Sequence, residues 1–325
     1  MVQASPVVQI GVIALTVLGL WIGARLLVDA VIRLAQRFDL SELTIGLTIV
    51  AMGTSTPELT VSVDAALAGL GDIAVANVLG SNIYNIAFIL GVISLLKVVP
   101  ISESIVHRDG IALLAATLIG GLAVLDLRIG RLEGAVLVGS FVAYTAYLLQ
   151  TNRSEMQIEG PTESTITRSV TEHLSFRGRD AVLLVGGLGI VLVSGDYMVL
   201  AASELARGAG ISEWVIGGTI VAAGTSTPEF AVSLVALRRG SLGVSVGNVV
   251  GSNIYNITGI MGVAALVRPL AISATAIETL AWLAVISALL VAALWTERVL
   301  SRIEGALFAL SELLRWALGI LGVLG

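Results

Sequence analysis

The feature that most constrains the fold is a segment that occurs twice in the chain, 171 residues apart. Residues 46–58 read GLTIVAMGTSTPE, and residues 217–229 read GGTIVAAGTSTPE. A second pair follows at the same offset, with GSNIYNI at 80–86 and again at 251–257. Because the offset is constant, one unit was duplicated with few insertions or deletions inside the matched regions. We therefore expect the chain to fold as two similar halves.

Each unit holds five apolar stretches of the length that a bilayer span requires, about 20 residues. Hydrophobic residues make up 56% of the chain and charged residues only 13%, against roughly 25% charged in a soluble domain. With five spans per unit, the second half enters the membrane upside down, as in secondary transporters. The predicted fold is an all-α polytopic membrane protein with ten transmembrane helices in two inverted five-helix repeats and broken helices at the ion site. The predicted spans are 8–36, 43–69, 73–97, 110–127, 132–150, 181–208, 214–238, 243–267, 274–295 and 303–323.

The same pattern predicts three regions. The first five-helix repeat covers 1–150 and contains the motif region 43–92. A polar, charged linker covers 151–180, and we interpret it as a tether between the halves. The second repeat covers the remaining residues and contains the motif region 214–263. The predicted domains are 1–150, 151–180 and 181–325.

Basic residues in the loops predict the orientation, because cytoplasmic loops carry an excess of Lys and Arg. One set of loops holds twelve basic residues and the opposite set holds four. With the richer side cytoplasmic, both termini are expected outside a cell membrane and the linker inside. The twelve are Arg33, Arg37, Lys97, Arg108, Arg153, Arg168, Arg177, Arg179, Arg238, Arg239, Arg298 and Arg302, and the four are Arg128, Arg131, Arg207 and Arg268.

Two carboxylates are the main candidates for function. Glu58 and Glu229 lie inside apolar stretches, far from the ends of their predicted spans. A carboxylate at membrane depth costs several kcal/mol unless something compensates it, so it indicates a functional site. The alternative is a protonated or internally hydrogen-bonded Glu that only supports the fold. Because the cost recurs at equivalent positions in both halves, we favour a site.

The residues that precede each carboxylate strengthen this interpretation. Thr54 and Ser55 lie four and three residues before Glu58, on the same helix face. Pro57 has no N–H and clashes with the carbonyl four residues back, so it breaks or kinks the helix. We therefore expect carbonyls near Ala51 to Gly53 to lack helix partners and to line a cavity. The equivalent residues in the second half are Ala222, Thr225, Ser226 and Pro228.

The second motif adds amides and hydroxyls. In each half an Asn, a Ser and an Asn are spaced by four residues and form one polar stripe on a helix. The stripes are Asn77, Ser81, Asn85 and Asn248, Ser252, Asn256. Close packing between transmembrane helices is the alternative role for such residues, and we favour it for Asn77, Asn82, Asn248 and Asn253.

Together these groups predict a site made only of oxygen ligands. The chain has no Cys, and neither His lies in the motifs. Such a site suits hard cations such as Ca2+ and Na+ rather than Zn2+ or Cu+. Two carboxylates carry a charge that neutralises one Ca2+ or two Na+, and competition for this charge is a physical basis for exchange.

At these motifs the sequence resembles the sodium/calcium exchanger family of the cation/Ca2+ antiporter superfamily, in its prokaryotic type. The resemblance rests on GTSTPE at 53–58 and 224–229 and on GSNIYN at 80–85 and 251–256. It implies Na+/Ca2+ antiport by alternating access, with the second, third, seventh and eighth helices holding the ions and the first and sixth helices sliding as a gate.

The resemblance also implies roles for individual residues. Glu58 and Glu229 would bind Ca2+ and Na+ alternately. Asn85 would line the centre. The hydroxyls of Thr54, Ser55, Ser81, Thr225, Ser226 and Ser252 would complete Na+ sites, and the carbonyls of Ala51 and Ala222 would add ligands.

One departure from the family pattern affects stoichiometry. Many members carry an acidic residue where this chain has Asn256, so one possible negative charge is missing. The family's proton-coupled exchangers typically show Gly-Asn before the Glu motif. The Gly-Thr-Ser found here favours Na+, while H+-coupled and K+-dependent antiport remain alternatives.

Other functional classes fit the sequence less well. A passive channel would also need oxygen ligands, but two inverted halves with broken helices favour alternating access. We expect no enzyme activity and no cofactor, since no zinc motif or catalytic pairing recurs as the ion site does. The expected partners are the two ions as substrates and the lipid bilayer; no nucleic acid or protein partner is inferred.

Two charges in the predicted gating helices suggest a contact between the halves. Arg25 in the first span and Asp196 in the sixth are equivalent by the 171-residue offset but opposite in charge. Unpaired charges within the membrane are costly, so we expect these side chains to form a salt bridge, with exposure to water or headgroups as the alternative.

Overall fold

The computed structural model describes residues 5–38, 40–100, 105–158, 178–209, 222–297 and 299–320, and these are almost entirely helical. The predicted linker and the start of the seventh span lie largely outside the described residues. The helices in the described ranges are α1 Pro6–Phe38, α2 Glu42–Thr54, α3 Thr56–Ala68, α4 Gly71–Leu96, α5 His107–Val124, α6 Arg131–Ile158, α7 Gly178–Gly208, α8 Ala222–Thr225, α9 Thr227–Arg238, α10 Leu242–Val267, α11 Thr275–Glu297 and α12 Arg302–Ile320.

These helices lie where the sequence predicts spans, but length and hydropathy single out fewer of them. Seven described helices are long and apolar enough to cross a membrane: α1, α4, α5, α6, α7, α10 and α11. The predicted span 43–69 and the described part of 214–238 are not among them, and each is divided by a break, at Ser55 and at Ser226. The tenth predicted span corresponds to α12, which is also not among the seven and carries four charged side chains.

The breaks have a local cause. Ser55 leaves the helical conformation, with φ −80° and ψ 17°, and Ser226 does the same, with φ −89° and ψ 10°. Pro57 cannot donate to the carbonyl of Gly53, four residues earlier. The hydroxyl of Thr56 donates to that carbonyl instead, at 2.7 Å. The chain therefore resumes as a new helix whose first turn contains the carboxylate.

The longest helices, α1 and α7, pack against each other in antiparallel directions. Arg33 near the end of α1 pairs with Asp180 near the start of α7, at 2.7 Å. At the other end, Gln9 donates to Glu204 at 3.0 Å. Between these contacts the backbones approach so closely that a Cβ on Gly23 would lie 2.8 Å from the carbonyl oxygen of Gly187. Small residues permit this approach, as is usual between membrane helices.

The antiparallel packing makes the predicted salt bridge wrong. Arg25 and Asp196 are both exposed, and within the described residues they make no ion pair with each other. The contacts at both ends of the helix pair place Arg25 level with residue 188 and Asp196 level with residue 17. Eight residues of helix separate the two levels by about 12 Å. Residues equivalent by duplication therefore face each other only near the point where the two helices cross.

Short strands join the two halves at two places. β1 (Val99–Pro100) pairs with β4 (Val299–Leu300), and β2 (Arg128–Ile129) pairs with β3 (Leu270–Ala271), both antiparallel. The two pairs are equivalent under the 171-residue offset. Each strand thus pairs with the other half and never with its own.

Two glycines of α10 let this helix touch α2. A Cβ on Gly251 would lie 2.5 Å from the carbonyl oxygen of Leu47, and one on Gly247 would lie 2.7 Å from that of Leu43. Any larger side chain would push α10 away from the broken helix. This contact brings the polar stripe of α10 against the break in α2.

Candidate cation-binding site

The two predicted carboxylates are held by serines from the opposite halves. Glu58, in the first turn of α3, and Glu229, in the first turn of α9, are both fully buried. The hydroxyl of Ser55 donates to Oε1 of Glu229 at 2.8 Å, and the hydroxyl of Ser226 donates to Oε1 of Glu58 at 2.9 Å. The breaks produce this exchange, because each serine ends one helix piece beside the start of the other half's piece.

Five buried polar atoms of the predicted ligands have no hydrogen-bond partner among the described residues: Oε2 of Glu58, Oε2 of Glu229, both amide atoms of Asn85 and Oδ1 of Asn256. Asn85 and Asn256 lie one helix turn after Ser81 and Ser252, whose hydroxyls contact Glu58 and the carbonyl of Ala51. Buried polar groups are nearly always hydrogen-bonded, and leaving one unpaired costs several kcal/mol. Four of the five atoms are oxygens, so a cation would satisfy them.

The other predicted hydroxyls lie at longer distances. Ser81 donates to Oε1 of Glu58 at 3.4 Å, and Ser252 donates to the carbonyl of Ala51 at 3.5 Å. That carbonyl also accepts the amide of Ser55 at 3.1 Å. The expectation that carbonyls lack helix partners is therefore wrong for Ala51, whereas the carbonyl of Gly53 cannot receive a bond from Pro57 and accepts the hydroxyl of Thr56. A carbonyl oxygen has a second lone pair, which can still face an ion.

Both predicted threonines are buried beside the breaks. Thr54 is buried, and its hydroxyl lies 3.1 Å from the carbonyl of Val50 and 3.1 Å from Oδ1 of Asn248. Thr225 is also buried, at the end of α8, and Ala222 is the first residue of that helix. The structure thus brings Thr54 directly against the polar stripe of α10.

The first asparagine of each polar stripe bonds the backbone of a carboxylate residue. Asn77 donates to the backbone carbonyl of Glu58 at 3.1 Å and to the hydroxyl of Ser62 at 2.9 Å. Asn248 makes the same two bonds in the second half, to Glu229 at 3.2 Å and to Ser233 at 3.0 Å. These two amides therefore do more than pack helices together, and they do so in the same way in both halves.

Sequence reasoning missed the two serines in this arrangement. Ser62 and Ser233 are fully buried and equivalent by the offset. Each lies four residues after its carboxylate, so the helix turn that follows the GTSTPE motif holds the missing signal. Among the described residues, no group of three or more His, Cys, Asp or Glu could hold a metal. The chemistry available at this site is that of two carboxylates with neutral oxygens, which suits Ca2+ and Na+.

Comparison with known proteins identifies the family. The family model described as sodium/calcium exchanger protein matches residues 8–150 and 180–311, one match in each half. The chain belongs to the sodium/calcium exchanger family. The resemblance seen in the motifs is thereby confirmed, and the chain is a multi-pass membrane protein of the cation/Ca2+ antiporter type.

Individual relatives extend the match over nearly the whole chain. The putative antiporter CaxA of Alkalimonas amylolytica is 34% identical and covers 96% of this chain and 97% of its own length. The sodium/calcium exchanger MaX1 of Methanosarcina acetivorans is 29% identical over 77% of this chain and 81% of its own. Among solved structures, the sodium-calcium exchanger NCX_Mj superposes with a TM-score of 0.82 and 29% identity, covering 96% of this chain and 99% of that one. This member of the family therefore shares the fold of an exchanger studied with Na+ and Sr2+.

Proposed function

We propose that this protein exchanges Na+ for Ca2+ across the cell membrane, by alternating access at the buried cluster. The observation that carries the proposal is the pair of crossed contacts, Ser55 to Glu229 and Ser226 to Glu58. Within the described ranges, each carboxylate keeps one oxygen without a hydrogen-bond partner. Two negative charges at one place balance one Ca2+ or two Na+, so the two kinds of ion compete and cannot bind together.

The neutral oxygens support Na+ as the coupling ion. Serine and threonine hydroxyls lie beside both carboxylates. These neutral oxygens can complete the coordination of Na+ without adding negative charge to the site. In this proposal the metal ligands are Glu58, Glu229, Thr54, Thr225, Ser55, Ser226, Ser81, Ser252, Asn85 and Asn256, with the carbonyls of Ala51 and Ala222. An exchange of H+ for Ca2+ would need only the carboxylates, which leaves the hydroxyl contacts without a role.

The transport cycle follows from the architecture that we propose. Ten transmembrane helices in two inverted repeats would surround the cluster, with 1–150 and 181–325 as the repeats. The strand pairs β1–β4 and β2–β3, each of which joins the two halves, support a two-fold relation between them. The antiparallel packing of α1 and α7 supports opposite orientation of the halves in the membrane, with those two helices sliding as the gate. Both termini would lie outside and the linker 151–180 inside.

The test is ion flux in liposomes that contain the purified protein. Vesicles loaded with Na+ are diluted into Na+-free medium, and uptake of radioactive Ca2+ is measured. We expect uptake that requires internal Na+ and persists when K+ is omitted and the pH gradient is abolished. Uptake that follows a pH gradient instead would assign proton coupling, and a requirement for K+ would assign K+-dependent exchange.

The site is tested in the same assay with Glu58→Gln and Glu229→Gln. Glutamine keeps the shape of the side chain and removes its charge. Because a hard divalent cation needs carboxylate ligands, the rate of Ca2+ uptake should fall about 100-fold or more in both variants. Glu278→Gln is the matched control, because Glu278 is an exposed glutamate on α11 outside the cluster, and it should transport as the wild type does. Normal uptake by either cluster variant would move the site elsewhere.

A further inference from the structure

Two asparagines that are equivalent by duplication meet inside the protein but make different contacts. Asn82 on α4 and Asn253 on α10 are both fully buried. The amide nitrogen of Asn82 donates across the interface to the backbone carbonyl of Asn253, at 2.9 Å. Asn253 turns back and donates to the carbonyl of Val249 in its own helix, at 2.7 Å. The two-fold relation is therefore broken at this place.

The contact from Asn82 fixes the orientation of a third amide. A backbone carbonyl can only accept, so the NH2 of Asn82 has to face Asn253 and its Oδ1 has to face the other way. That Oδ1 lies 3.0 Å from the amide nitrogen of Asn256. Because an amide oxygen also only accepts, the NH2 of Asn256 has to face Asn82. Every assignment in this series follows from one backbone acceptor.

The consequence falls on the remaining atom of Asn256. Its Oδ1 points away from Asn82, is buried and has no hydrogen-bond partner among the described residues. Asn256 lies one helix turn after Ser252, which contacts Ala51 at the broken helix. Asn85, the equivalent residue in the first half, has no partner for either amide atom, so nothing described here selects one orientation for it.

We infer that Asn82 is a positioning residue that turns the carboxamide of Asn256 so that its oxygen is offered to the bound cation. The inference rests on the proposed function, in which Asn256 is a ligand. It also assigns Asn82 a role in specificity. A carboxylate at position 256 would set one of its oxygens against Oδ1 of Asn82, and two acceptors at that distance repel. The environment thus favours a neutral amide and limits the site to two carboxylates.

The first test is a double-mutant cycle between Asn82→Ala and Asn256→Ala. Binding of radioactive Ca2+ to the purified protein in detergent is measured by equilibrium dialysis. Asn82→Ala should weaken binding about 10-fold, the lower end of what the loss of an outer-shell partner costs a metal site. In the Asn256→Ala background the same change should weaken binding less than about 2-fold. The contact of Asn82 with Asn253 is lost in both backgrounds and therefore cancels.

Each half offers one control. Asn253→Ala removes a fully buried side chain whose amide nitrogen bonds its own helix, and it keeps the backbone carbonyl that accepts from Asn82, so Ca2+ binding should stay within about 2-fold of the wild type. Asn82→Ala combined with Asn85→Ala should be additive, because within the described part of the chain no hydrogen bond joins those two side chains. Additive losses for Asn82 and Asn256, or an equal loss for Asn253→Ala, would overturn the inference.

A second test places a carboxylate at position 256 and asks whether Asn82 disfavours it. Its outcome is independent of the transport proposal. The melting temperatures of Asn256→Asp, Asn82→Ala and the double variant are measured without Ca2+ and at low Na+. Asn256→Asp should lower the melting temperature strongly when Asn82 is present and weakly when it is replaced. Equal shifts in the two backgrounds would overturn the specificity role, whatever ion the protein carries. Failure of the wild type to exchange Na+ for Ca2+ would refute the proposed function, while the melting cycle would still decide the contact.

Discussion

Position 312 in α12 and position 141 in α6 are equivalent in the two halves, yet one is a buried glutamate and the other a phenylalanine. Glu312 is fully buried and binds Arg315 through both carboxylate oxygens, at 2.6 and 2.8 Å. Trp316 beside it stacks on Tyr84, with ring centroids 5.8 Å apart. In the first half Phe141 packs against Tyr255, the equivalent of Tyr84, at 4.9 Å. Beside Tyr84 the outer helix thus supplies a tryptophan and a buried ion pair, whereas beside Tyr255 it supplies a phenylalanine.

The contacts around the carboxylates show the opposite behaviour. The two crossed serine bonds differ by 0.1 Å, at 2.8 and 2.9 Å, and the two supporting asparagines make the same pair of bonds. The halves are alike where, in the proposed function, both face one ion, and they differ where an outer helix of one half packs against the other half. A cation on the axis needs ligands from both sides, whereas an outer helix needs only a filled interface.

The largest expected effect comes from breaking the ion pair that only the second half has. Arg315→Leu leaves Glu312 buried without its partner, which should lower the free energy of unfolding by about 3–5 kcal/mol. Thermal unfolding of the purified protein in detergent measures it. Arg302→Leu is the control, since Arg302 is exposed at the start of the same helix, and it should have little effect.

A double variant should restore the stability that Arg315→Leu loses. Replacing Glu312 and Arg315 together with leucines removes the uncompensated charge, so the double variant should recover most of the lost stability. If Arg315→Leu unfolds no earlier than Arg302→Leu, the pair contributes nothing, and the contrast between the halves concerns shape alone.

Much of this comparison could be predicted from the sequence, because duplication leaves a readable offset. Identical motifs and an apolar background were enough to predict the helices, the breaks and the grouping of Glu58 and Glu229 with Ser55 and Ser226. The offset failed for Arg25 and Asp196, since equivalent positions on antiparallel helices meet only where the helices cross.

Two other features could not be read from the sequence. Identical asparagines at 82 and 253 give no sign that one of them bonds across the interface and the other bonds within its own helix. Glu312 gives no sign that it is buried, because its apolar surroundings come from other helices. Both features depend on contacts between helices that are distant in sequence, and only the folded structure shows those contacts.

A smaller effect is expected where the halves agree. Ser55→Ala and Ser226→Ala each remove a hydroxyl that donates to the carboxylate of the opposite half, and each should reduce Na+-dependent Ca2+ uptake about 10-fold, as loss of one charge-assisted hydrogen bond of about 1.5 kcal/mol implies. The two losses should agree within about 2-fold. Liposome flux at several Ca2+ concentrations measures both.

The serine prediction has a control in the same class of residue. Ser94 is buried but bonds the carbonyls of Leu90 and Gly91 in its own helix, so Ser94→Ala should leave uptake unchanged. A large loss for one cluster serine and none for the other would show that the crossed contacts are equivalent in geometry but not in transport.

The smallest expected effect lies one layer behind the carboxylates. Ser62 and Ser233 each accept a hydrogen bond from the asparagine that supports a carboxylate, at 2.9 and 3.0 Å, and donate to a carbonyl at 3.3 Å. Ser62→Ala and Ser233→Ala should each lower the free energy of unfolding by about 1 kcal/mol, as measured by thermal unfolding, with little change in Ca2+ uptake. Equal losses would extend the agreement between the halves from the ligands to their supports. A markedly larger loss for one serine would mean that the two halves agree only at the carboxylates, where the proposed ion would contact both.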